Sequence, residues 1–428
     1  MKKQCIINTR IVDPRNNIDE IGGVLINEEG RIQAVGSKVT KDNASDAIVY
    51  DCKNKITIPG IVDMRVFVGE PGFEYKENFR TLSQAALSGG VTAVATMPNT
   101  NPVIDNVSTL DFVKRRSRDK SAIKIFPLAT LTKNAEGKDM TEFGLLKLRG
   151  AWGFTDGLNC VQSNKVMDRI FNYGKNKDIL IIQFAQDNEL SENGVVNDSL
   201  LATKLGLKSI PAIAEQLIIE RDLRLLEQYQ TKYHIALISS KKSLEIIKDA
   251  KAKGLKFTVG VSINNLSLND NDIGDFRTFL KLSPPLRSEE DRLALIQGVK
   301  DGLIDVIVSD HKPEDEESKR LTFQQAATGA SGIETLLPLA LELVHNGSCN
   351  LNSLIENLTS NPAKILGIRN GTLSIGSEAD IAIFDLEKPW VFKRENILSK
   401  SKNTAIENRK LQGKVEKTFI NGKLVFEE

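Results

Sequence analysis

Short apolar runs broken by polar turns open the chain: QCIINTRIVD is followed by GGVLINEEGRIQAVGS, where Glu29-Gly30 falls between two apolar runs as a hairpin turn does. The far end repeats the pattern. GTLSIGSEADIAIFDL is followed by KTFINGKLVFEE, whose Asn421-Gly422 predicts a type I′ hairpin between Phe419-Ile420 and Leu424-Val425. Between these ends short apolar stretches alternate with longer segments whose apolar residues recur every three or four positions, the signature of parallel strands joined by helices. Strands are expected over Gly60–Phe67, Thr92–Thr96, Lys124–Ala129, Gly150–Phe154, Ile179–Phe184, His234–Ile238, Lys256–Val261 and Asp305–Val308. Helices are expected over Ala212–Glu227, Lys242–Ala252 and Glu289–Gly302. Eight such strands in succession predict an α/β fold, a TIM (β/α)8 barrel with a small composite β-sandwich built from both termini. Its parts are 1–54 and 366–428 for the β domain and 55–365 for the barrel. In such a barrel chemistry belongs at the carboxyl ends of the strands. The polar run Arg394–Lys410 reads as a solvated loop.

Composition narrows the functional classes. With 57 Lys and Arg against 56 Asp and Glu, the net charge of +1 gives no reason to expect nucleic acid or an anionic membrane as partner. No window approaches the ~18 apolar residues of a membrane span, and the start MKKQCIINTRIVD lacks a sustained apolar stretch, so a cytoplasmic location is expected. Cys5, Cys52, Cys160 and Cys349 lie far apart without a CxxC pair and read as reduced bystanders.

Two stretches carry a specific resemblance: IPGIVDMRVFVGEPGFEYKENF and GGVTAVATMPNTNPVIDN resemble the opening of dihydroorotases of the long bacterial class, in the amidohydrolase superfamily. SPPLRSEEDRLALIQGVKDGLIDVIVSDHKPEDEESK, GASGIETLLPLALELV and TSNPAKILGI keep to the same family, so the likeness spans essentially the whole chain. It implies a metal-activated water attacking a cyclic amide, with a carboxylate as general acid and base. Histidines at strand ends would hold the zinc.

The chain departs from the family at those positions. Arg65 and Phe67 stand where the family has His-x-His, and Gly69 where it has an arginine for the substrate carboxylate. Phe184 and Leu237 stand at two further ligand histidines. A guanidinium is always protonated and a phenyl ring offers no lone pair, so neither can ligate a metal. Phe154-Thr155-Asp156-Gly157 keeps one acid of a pair, Asn99 is retained in its Met-Pro-Asn-Thr turn, and Ser283 replaces a substrate-loop asparagine. The catalytic aspartate matches Asp310, but the motif reads Asp310-His311-Lys312-Pro313-Glu314, without its second histidine. The chain has only three histidines, His234, His311 and His345. His234 matches a non-ligand position and reads as a hydrogen-bonded structural residue, while His345 is expected at a surface helix end.

From these losses the zinc site is expected to be gone, with no cofactor. The chain resembles the inactive dihydroorotase-like chains that some bacteria pair with aspartate transcarbamoylase, and the resemblance implies a structural or regulatory subunit for that enzyme, or one assembling with itself. Asp310 would be vestigial and paired with a cation such as Arg65. Asn99, Arg65 and His311 would line a remnant pocket in which Arg65 could hold a small anion. The alternative is an altered cyclic-amide hydrolase, either metal-free through Asp310 or with one metal on Asp156, Asp310 and His311. A self-assembling scaffold without catalysis is the third reading.

Overall fold

A computed structural model describes residues 1–428 except 45 and 176. The chain ends share one sheet. Its strands run in the order 423–427, 410–420, 381–391, 56–59, 4–13, 18–26, 32–36, with 48–51 pairing alongside 4–13. The two termini join where Ile381–Phe384 lies antiparallel to Ile56–Pro59, which in turn runs parallel to Arg10-Ile11. Alternation along these strands buries Ile6, Ile11, Val24, Ile381 and Phe419 in one cluster. At the expected hairpin, Asn421 and Gly422 both take positive φ, 48° and 72°, as a type I′ turn requires.

Two parallel sheets make up the middle. Ile61–Val66, Val91–Thr96 and Lys124–Pro127 form the first. Ile181–Gln183, Tyr233–Ile235, Thr258–Ser262 and Val306–Val308 form the second. Single parallel bridges link them, from Ala129 through Phe154 to Ile181 on one side and from Val66 to His311 on the other. The fourth expected strand is therefore reduced to the bridges of Phe154. Its preceding residues, Gly150-Ala-Trp-Gly153, are poor strand formers, and Gly150 takes φ +100°.

Helices fall where the apolar spacing put them, at Ile213–Tyr229, Lys241–Ala252 and Glu289–Lys300. The last begins on a Ser288 side chain accepting from the Asp291 N–H, with three acids in its first turn to meet the helix dipole. Inward-facing Val62, Met64, Ala93, Ala95, Ile182, Val306 and Val308 fill the space the parallel strands enclose.

Arg394–Lys410 is not a solvated loop. Ser399, Asn403 and Thr404 are almost wholly buried. The Leu398 and Ser399 N–H groups donate to Glu334, and Ser399 Oγ donates to Glu77. Asn403 accepts from the Glu314 N–H at 3.0 Å and donates to the Gly329 carbonyl at 3.0 Å. The segment is a strap across the loops after the strands, and its polar side chains satisfy backbone groups that would otherwise be buried unpaired.

Candidate functional site

Arg65 ends the first parallel strand, where the pairing register slips between Asp63 and Val66. Its side chain is 3% exposed. The Nε–H donates to Asp310 Oδ1 at 2.8 Å, an Nη–H donates to the Gly157 carbonyl at 3.3 Å, and the guanidinium lies 5.4 Å from the Phe67 ring centre and 5.3 Å from that of Phe184. Charge, aromatic faces and one carbonyl thus surround a single cation. Leu237 and Met97 pack in the same apolar cluster as the two phenylalanines. The expected Arg65–Asp310 pair is present, and it occupies the mouth of the strands.

Asp310 follows directly on Val306–Val308 and takes φ +49°, a conformation rare for a residue with a side chain. Burial raises its carboxyl from the ordinary range against the opposing pull of Arg65, Lys312 and His311. Beneath it Asp63 is fully buried and accepts from the Arg65 N–H at 3.1 Å and from Ser309 Oγ. Burial pushes Asp63 up to about 6, with those hydrogen bonds opposing. Glu215 holds the end of another strand, taking the Ser239 N–H at 3.0 Å and the Ser240 N–H at 3.3 Å.

The other sequence candidates are tied into the protein. Asp156 accepts the Thr132 N–H at 3.0 Å and Thr132 Oγ at 2.6 Å, and burial pushes it up to about 6. Asn99 donates to the Asp156 carbonyl at 3.0 Å and accepts from the Leu158 N–H at 3.2 Å. A Cβ on Gly157 would lie 1.7 Å from Asn99 Oδ1, so the close approach needs glycine there. His311 Nδ1 accepts from the Gly332 and Ile333 N–H groups at 3.2 and 3.4 Å, and its Nε2 faces Glu77 at 3.6 Å. His234 is buried, shares a hydrogen bond of 2.8 Å with Thr258, and is pushed down to about 3 by burial and by the charges of Arg65 and Lys251. His345 is exposed at the end of its helix.

The donor set does not suit a divalent metal. Asp156 gives both oxygens to Thr132, Asp310 gives Oδ1 to Arg65, and His311 Nδ1 accepts from the Gly332 and Ile333 N–H groups, so the three are turned to different protein partners. Among the described residues no three His, Cys, Asp or Glu side chains gather as a metal site. The one-metal arrangement of the alternative reading is therefore not assembled among the described residues.

A cavity of about 330 Å³ opens over Phe67, lined by Phe67, Phe73, Lys76, Asn99, Lys312 and Glu314 among others. Arg65 does not line it, which corrects the expectation that Arg65 faces a pocket anion. Lys76 Nζ lies 2.6 Å from Glu314 Oε2 and Lys312 Nζ 3.2 Å from Oε1. Sequence reasoning registered Lys312 and Glu314 only as departures and passed over Lys76. The available signal was the joint gain of a cation and an acid within five residues. Gly69 also lines the cavity with φ +74°, and a Cβ there would sit 2.7 Å from the Phe73 carbonyl, so the loop now disfavours any side chain at that position. No helix among the described residues is long and apolar enough to cross a membrane.

Known proteins match the chain along nearly its whole length. A family model described as dihydro-orotase-like matches residues 54–243. The dihydroorotase of Syntrophus aciditrophicus (strain SB) is 39% identical over 419 residues, covering 98% of each chain. That of Elusimicrobium minutum (strain Pei191) is 40% identical over 426 residues, covering 99% of this chain and 98% of the relative. Among solved structures, the L-hydantoinase (dihydropyrimidinase) of Arthrobacter aurescens superposes with a TM-score of 0.89 at 23% identity, over 100% of this chain and 96% of the other. The dihydropyrimidinase of Brevibacillus agri NCHU1002 gives 0.84 at 21% identity, over 99% and 95%. At such identities the structures speak to the fold alone. The full-length relatives named as enzymes overturn the expectation of a catalytically inactive subunit. That expectation equated loss of metal ligands with loss of a site, whereas the strand ends still carry a paired carboxylate beside a cavity.

Proposed function

The chain belongs to the dihydroorotase family, and we propose that it is a cyclic-amide hydrolase of the dihydroorotase kind, carried on a (β/α)8 barrel, with a rearranged site that works without a bound metal. The observation that carries this is Asp310, held at a strand end by Arg65 at 2.8 Å and two residues from the cavity-lining Lys312. Arg65 supplies a fixed positive charge at the strand ends and favours the ionised form of Asp310, against the burial that raises its carboxyl. A carboxylate whose pKa burial has raised is a stronger base towards water at neutral pH. Asn99 lines the cavity, as expected, and also holds the Asp156–Leu158 loop through one donated and one accepted hydrogen bond.

The test is hydrolysis of dihydroorotate and synthesis from N-carbamoyl-aspartate, measured with protein dialysed against a chelator. Turnover that survives dialysis and falls about a hundredfold or more in Asp310→Asn is expected. Absence of turnover on either compound and on hydantoin overturns the reading, and activity that returns only with added zinc overturns its metal-free part. Assembly with aspartate transcarbamoylase, or with further copies of this chain, belongs to the same proposal and is tested by co-elution of the mixed proteins.

A further inference from the structure

Two ammonium groups and one carboxylate share one wall of the cavity, and we infer that Lys76 and Lys312 form a subsite for the carboxylate of a small cyclic ureide or amide. The identity of the ring rests on the hydrolase reading above; the anion preference rests on the cluster itself. Lys76 and Lys312 both turn towards the single carboxylate of Glu314, which is almost buried. Each ammonium has three donors. Lys312 gives one to Glu314 and one to the Thr328 carbonyl, and so keeps one. Lys76 meets Glu314 as an ion pair at 2.6 Å, with Oε2 accepting no hydrogen bond, and otherwise rests over the faces of Phe73 and Tyr75.

The neighbouring charges do not fill this vacancy. Glu77, also on the cavity wall, already accepts from Thr81 Oγ, Ser399 Oγ and the Lys400 N–H, so its charge is spread over donors of its own. Arg65 is sealed under Phe67 and Phe184. A second carboxylate placed opposite Glu314 would complete an alternating square of two cations and two anions, while Phe67 and Phe73 would flank an apolar ring edge. At about 330 Å³ the cavity is at the small end for ligand pockets, which suits a single ring.

Calorimetric titration of the intact protein at low salt tests this with three probes: dihydroorotate, 5,6-dihydrouracil, which lacks the carboxylate, and inorganic phosphate. Dihydroorotate is expected to bind about tenfold or more tightly than either of the others. Lys312→Met is expected to weaken it about tenfold, and so is Lys76→Met, whose partly exposed side chain can be removed without disturbing the fold. Glu314→Gln is expected to tighten binding, because it removes the competing anion; a purely structural cluster predicts the reverse. Equal affinity for dihydrouracil or phosphate, or loss of binding in a folded Glu314→Gln variant, overturns the subsite. Binding with this pattern but without turnover leaves the subsite standing and removes the hydrolase reading, so the two fail separately.

Discussion

Arg65 and Lys312 are both cations beside Asp310, yet the fold treats them in opposite ways. Arg65 is enclosed by two aromatic faces, a carboxylate and a carbonyl, with 3% of its side chain exposed. Lys312 is 19% exposed, shares its carboxylate partner with Lys76 and lines the cavity. A cation whose every face is covered serves the protein's own charges, whereas one with an unused donor on a cavity wall is placed to meet a ligand. If so, removing Arg65 should cost stability and removing Lys312 should cost binding.

The largest effect is expected from Arg65→Met. It leaves the Asp310 carboxylate buried without its partner, which costs about 3–5 kcal/mol. Urea denaturation of the variant measures it. The double variant Arg65→Met/Asp310→Leu should recover most of that loss, since replacing both members of a buried pair by apolar groups is often near neutral. A single variant as stable as the wild type would mean that water, rather than Arg65, compensates Asp310.

Two buried titratable groups near Arg65 provide a second contrast, of intermediate size. Asp63 has no cation among its hydrogen-bond partners, which are the Arg65 N–H and the Ser309 N–H and Oγ, with His311 acting only from nearby. Its pKa of about 6 lies above the usual carboxylate value, so the folded state binds the proton more tightly than the unfolded chain. Stability from this group therefore falls as pH rises from about 4 to 6. His234, pushed down to about 3, behaves oppositely: the unfolded chain takes a proton below about 6.5 and the folded state does not, so stability falls as pH drops. Two opposed slopes thus share one pH window. Asp63→Asn should steepen the loss of stability on acidification, and His234→Gln should reduce it, each by about 2–3 kcal/mol across the window. Urea midpoints from pH 4 to 7 at constant ionic strength would show it, and parallel curves for the two variants would refute the assignment.

Strand positions were legible because buried parallel strands read as apolar runs whatever chemistry they carry: seven of the eight runs hold a strand with ends within about three residues, and the run at Gly150–Phe154 is reduced to bridges. Phe67, Phe184 and Leu237 were legible as departures from a motif. The Arg65–Asp310 pair could be inferred from two charges at strand ends 245 residues apart in sequence. The strap could not, because Ser399 and Asn403 are polar and a polar run in sequence reads as solvent-facing. Only the fold reveals the buried groups they meet, the Glu77 carboxylate for Ser399 and the Glu314 N–H and Gly329 carbonyl for Asn403. Nor could the Lys76–Glu314–Lys312 cluster, since its first member comes from a loop far from the other two and carries no periodic signal of its own.

Lys312→Met is expected to have the smallest effect on folding, and so puts the comparison at greatest risk. It removes one hydrogen bond to Thr328 and one contact with Glu314, but Lys76 remains 2.6 Å from Glu314, and the partly exposed lysine site admits water. An unpaired buried carboxylate, the term that makes Arg65→Met costly, does not arise. A loss within about 1 kcal/mol is expected, measured by the same urea titration. A loss equal to that of Arg65→Met would make Lys312 a second sealed cation, and the division between a structural charge below the cavity and a ligand-facing charge on its wall would have to be abandoned.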